Sequence, residues 1–93
     1  MTIVEFLEVR IAEDEAAAND LMGEREGDRT LAECAAKRAI IQSYESFRKV
    51  SKGANSLDTK LTASGIKEGL RIALASLSSI YNDHPDYKDE WSL

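Results

Sequence analysis

This chain reads as an all-α protein: an antiparallel helical hairpin packed with a long third helix, together a three-helix bundle, with a short C-terminal helical turn or tail. Three apolar stretches of helical period carry that reading, with two polar connections between them and a lone proline just past the third. The strongest stretch holds Ile66, Leu70, Ala73, Leu74, Leu77, Ile80 and Tyr81 at the spacing that gathers side chains on one helix face. It predicts a helix over about 59–81, packed against the two upstream helices and against Tyr87 and Trp91 of the tail.

The first helix is expected over about 2–22. Thr2 and Glu5 stand three apart as a capping box, each side chain reaching the other's backbone amide. Val4, Leu7, Ile11, Ala18 and Leu21 form its stripe, Ile3 and Phe6 widen it, and Asp14 interrupts it among small alanines. Gly23 to Gly27 is a polar connection of the length that joins antiparallel neighbours.

The second helix is expected over about 29–51, with a further capping box at Thr30 and Glu33 or an earlier cap at Asp28. Leu31, Cys34, Ile41 and Tyr44 share a face flanked by Ile40, Phe47 and Val50, the widest apolar face in the chain. Residues 52–58 read as a loop, with Asp58 or Thr59 as the next cap. Gly65 and Gly69, inside the third helix, each cost about 1 kcal/mol against alanine, which points to a close helix contact there or else to a late helix start, the contact being the favoured reading. Pro85 stops the third helix and suits the start of a short helix in the tail, residues 82–93, with Trp91 folding back as an anchor. Residues 1–93 are expected to form a single domain.

Charge is uneven. The net value is -5, yet residues 1–22 carry six acids and one base, residues 23–52 five acids and seven bases, and residues 82–93 four acids and one base. An antiparallel hairpin sets the acidic first helix beside Lys37, Arg38, Arg48 and Lys49. A nucleic-acid binder displaces counterions with clustered Lys and Arg, so this balance argues against direct nucleic-acid binding. No apolar run approaches the roughly 20 residues of a membrane span, and the N-terminus lacks the pattern of a signal peptide. One cysteine, Cys34, excludes an internal disulfide and reads as a packing residue, which fits a cytoplasmic location.

Asp83, His84 and Asp86 have donor chemistry suited to zinc or manganese. They lack a second spaced donor pair, and cap and turn roles account for the same residues. No phosphate-binding glycine loop, nucleophile elbow or helical HExxH is present. The expectation is therefore a non-enzymatic protein with no cofactor and no metal. The acidic residues of the first helix also allow a DNA-mimic reading, which the basic second helix weakens by partly cancelling their field.

The opening MTIVEFLEVRIAEDEAAA, the central LAECAAKRAII and the closing ALASLSSIYNDHPDYKDEW resemble an uncharacterised family of small proteins from actinobacteria and their phages. The residues carrying the resemblance are Glu5, Phe6, Leu7, Arg10, Glu13, Asp14, Glu15, Lys37, Arg38, Leu74, Ala75, Tyr81, His84, Pro85, Asp86, Tyr87 and Trp91. It breaks off over residues 51–69. The resemblance implies a bacterial cytoplasm and a non-enzymatic role, with His84, Pro85, Asp86, Tyr87 and Trp91 as a structural motif. The leading expectation is a phage-encoded or actinobacterial interaction protein that binds and modulates a host protein, such as a coiled coil, through Ile40, Tyr44, Phe47 and Val50. A homo-oligomeric structural protein, an acidic DNA mimic and a metal protein centred on Asp83, His84 and Asp86 are the alternatives.

Overall fold

The computed structural model describes residues 1–93 apart from Met22, Ala54, Asn55 and the side chain of Ser51. Three α-helices follow in order, α1 over Ile3–Asn19, α2 over Arg25–Gly53 and α3 over Leu57–Ser78, and two single 3-10 turns, Ser79–Tyr81 and Asp89–Trp91, complete the chain. Among the described residues there is no strand. The all-α three-helix reading holds: α2 packs against both α1 and α3.

Thr2 caps α1 as expected, accepting from the Glu5 amide at 3.1 Å while the Thr2 amide donates to Glu5 at 2.9 Å. These hydrogen bonds hold the Glu5 carboxyl below its ordinary range. The other helix starts differ from expectation. α2 begins at Arg25, so Thr30 and Glu33 lie inside it rather than at a capping box. Gly27 explains the early start, because a Cβ there would stand 2.3 Å from the Leu21 carbonyl oxygen; only a bare backbone lets the chain reverse so tightly. Gly23, at φ +90, makes the turn, and its amide donates to the Asp28 carboxylate at 3.3 Å. α3 is capped by Ser56, which accepts from the Thr59 amide at 3.1 Å, in place of Asp58 or Thr59. The predicted end of the first helix at Met22, and Ala54 and Asn55 of the predicted loop, lie outside the described residues.

The core joins Phe6, Leu7 and Ile11 of α1, Cys34 and Ile41 of α2, and Leu74 of α3. Ile3, Val4, Ile40, Tyr44, Leu77, Tyr81, Tyr87 and Trp91 pack around it. Burial raises the Cys34 thiol above its ordinary range, in keeping with a packing role. The α3 face departs from expectation at both ends, since Ile66 and Ile80 are exposed. Gly65 and Gly69 have open space where a side chain would sit, so the close contact predicted there is absent and Gly27 has one instead.

Helix lengths set the shape. At 1.5 Å per residue α2 spans about 43 Å and α1 about 26 Å. The start of α1 lies beside Tyr44, Glu45 and Arg48. Beyond that level the end of α2 and the start of α3 continue as a two-helix arm, giving a molecule of 50 × 28 × 18 Å.

Candidate functional site

Two places concentrate the unusual side chains. The first is the seam where the tail crosses α1. Phe6, fully buried, is ringed by Tyr81, His84, Tyr87 and Trp91, with ring centres at 6.2, 5.7, 6.1 and 5.0 Å. Edge-to-face pairs of this kind add to the stabilisation from buried area. The tail reaches Phe6 through successive turns, in which the His84 amide donates to Tyr81 and the Tyr87 amide to His84, both at 3.0 Å. Pro85 lies within these turns and does not start a helix; the short helical turn comes later, at Asp89–Trp91. Tyr87 and Trp91 therefore take their main aromatic partner from α1 rather than from α3.

One turn along α1 from Phe6 stands Arg10, buried, its guanidinium 5.4 Å from the centre of the Phe6 ring. Its Nη1 meets His84 Nε2 and its Nη2 donates to Glu13 at 3.0 Å. His84 Nδ1 accepts from the Asp86 amide at 3.0 Å, so both ring nitrogens are engaged inside the chain. A further turn along, Asp14 accepts from the Tyr81 hydroxyl at 2.7 Å, and Lys37 donates to that hydroxyl at 3.1 Å. Burial, then the hydrogen bond to Asp14, raises the Tyr81 phenol above its ordinary range. Glu15 accepts two hydrogen bonds from Arg38, at 2.9 and 2.6 Å, which lower the Glu15 carboxyl and raise the Arg38 guanidinium. The expected pairing of acidic α1 with basic α2 is thus made by Glu15 with Arg38 and, through Tyr81, by Asp14 with Lys37. Arg48 pairs instead within α2, with Glu45 at 3.0 Å.

This seam unites most of the residues that carry the sequence resemblance. Among the described residues no group of three or more His, Cys, Asp or Glu side chains is placed to hold a metal ion, so Asp83, His84 and Asp86 do not converge as a ligand set.

A family model matches residues 19–93, from the last residue of α1 through the tail. The chain belongs to DUF6221, a family of unknown function. The matched span includes residues 51–69, where the sequence resemblance broke off, and leaves out residues 1–18, which it had included. No curated protein and no solved structure matches this DUF6221 chain. No helix among its described residues is long and apolar enough to cross a membrane.

The second place is the two-helix arm. The four candidate interface residues divide there: Ile40 and Tyr44 are half-buried against the core, Phe47 is half-buried, and Val50 is 50% exposed. Phe47 and Val50 form one wall of a shallow groove of about 300 Å³, closed on the α3 side by Thr59, Thr62, Ala63 and Ile66. The most exposed large apolar side chains of the arm are on α3, Leu57 at 71% and Leu61 at 63%. Sequence reasoning passed over both: Leu57 falls in the expected loop, and Leu61, inside the expected third helix, was left off the apolar face that was read from Ile66 onward. Their i, i+4 spacing behind Ser56 was the available signal.

Proposed function

We propose that this chain is a non-enzymatic helical interaction protein, phage-encoded or actinobacterial, that binds and modulates a host protein through the apolar surface of its α2–α3 arm. The observation that carries the reading is the exposure of Val50, Leu57, Leu61 and Ile66 together at one end of the molecule. Val50 and Ile66 line the groove between the two helices, and Leu57 and Leu61 add exposed apolar area on another face of α3; exposed apolar area concentrated in this way marks interaction sites in soluble proteins. The chemistry-bearing side chains of the seam support a scaffold role, since Arg10, Asp14, Glu15, Lys37, Arg38, Tyr81 and His84 engage one another. The α2 face named from sequence alone is thereby shifted toward Val50 and extended onto α3.

Affinity capture from an actinobacterial lysate tests the proposal, comparing the wild type with a Leu57→Ser/Leu61→Ser variant. Both side chains are exposed, so the variant is expected to keep its helical circular dichroism and its melting temperature. One host protein retained by the wild type and lost by the folded variant is the expected result. Capture of the same proteins by both would sink the assignment of the arm.

A further inference from the structure

The arm differs from the rest of the chain in charge as well as polarity. Residues 45–71 carry six bases, Arg48, Lys49, Lys52, Lys60, Lys67 and Arg71, against three acids, Glu45, Asp58 and Glu68, in a chain whose net charge is -5. Glu45 is already paired with Arg48 and Glu68 with Arg71, and Lys49, Lys52 and Lys60 are exposed. The exposed leucines of the arm, Leu57 and Leu61, thus stand in a segment with an excess of bases.

Geometry adds a direction. Leu57, Leu61, Gly65 and Gly69 follow at steps of four along α3, which places them on one ridge inclined to the helix axis. Open space stands over both glycines, so the leucine strip runs on into a shallow notch where another backbone can approach closely. A strip that long and narrow fits a rod, and its apolar floor with basic surroundings fits a rod that is apolar on one side and acidic at the edges. Two arms laid against each other would set base against base, which disfavours a second copy on this face.

We infer that the occupant of this arm is an acidic amphipathic helix, its apolar stripe along Leu57, Leu61 and the Gly65–Gly69 notch and its carboxylates toward Lys52 and Lys60. The inference rests on the proposed function and names the chemistry of the partner.

Two synthetic helical peptides of the length of α3 test it. They share one leucine stripe and differ only in whether glutamate or lysine flanks it, and their binding to the full chain is followed by fluorescence anisotropy. The glutamate peptide is expected to bind roughly tenfold or more tightly than the lysine peptide and to weaken as salt is added. Leu57→Ser/Leu61→Ser should abolish its binding, and Lys52→Glu/Lys60→Glu should reverse the preference. Equal binding of the two peptides, binding of neither, tighter binding of a short DNA duplex, or sedimentation as a dimer that the leucine variant breaks would each overturn the inference. A host protein captured in a Leu57- and Leu61-dependent way, with Lys52→Glu/Lys60→Glu still binding fully, would overturn the acidic partner while leaving the interaction role standing.

Discussion

At Tyr81 one hydroxyl joins three elements, donating to Asp14 of α1 and accepting from Lys37 of α2. Removing it as Tyr81→Phe leaves a half-buried carboxylate without its donor, which should cost about 1–3 kcal/mol in urea denaturation at neutral pH. The phenol has a pH signature of its own. Its folded pKa lies above the unfolded value near 10, so the folded chain holds this proton more tightly. That contribution is complete below about pH 10 and is lost as pH rises through the folded value. Wild-type stability should therefore fall in alkali more steeply than that of Tyr81→Phe. Parallel alkaline slopes for the two proteins would refute the coupling. Asp14 shows why periodicity could not find this seam: read locally it interrupts an apolar stripe, and its partner lies 67 positions further along the chain. Phe6 has the same history, a flank residue in α1 whose aromatic ring of neighbours comes almost entirely from the tail.

Three helices and their antiparallel order were legible because apolar spacing reports which face is buried, and the Thr2 capping box was read correctly at residue level. The starts of α2 and α3 were not, for a local reason. Glycine normally punctuates a chain, and nothing in the sequence says that Gly27 is needed bare inside a helix because the Leu21 carbonyl presses on it. The same ambiguity ran the other way at Gly65 and Gly69, read as contacts and found open. The three glycines should accordingly answer oppositely to alanine. Gly65→Ala and Gly69→Ala are each expected to raise stability by about 0.5–1 kcal/mol, the helix-propensity difference. Gly27→Ala should lower it by about 1–3 kcal/mol, because the new methyl meets backbone that must shift. Thermal melts of the three single variants check the signs. A loss at Gly65 or Gly69 would mean that this face is covered in solution.

For the whole molecule, the decisive quantity is the difference in length between α1 and α2. A chain of this size folded as a sphere-like domain has a radius of gyration of about 12 Å, whereas this one has 15.4 Å, because the end of α2 and the start of α3 extend past the start of α1. The body around Phe6, Leu7, Ile11, Cys34 and Leu74 is locked from several sides by α1, the tail and the ion pairs of the seam. The arm has only its two helices, with Ala63 the one buried apolar residue of α3 before Leu74. Opening free energy follows buried contacts, so the arm should open without the body. Amide hydrogen exchange is expected to be at least roughly tenfold faster over residues 57–66 than over residues 70–78. Addition of a partner that binds the arm should remove most of that difference, because its contacts supply the packing that α1 gives the rest of α2 and α3. Uniform protection along α3 in the isolated protein would show that the arm folds and unfolds with the body, and would contradict a partner-ready surface held apart from it.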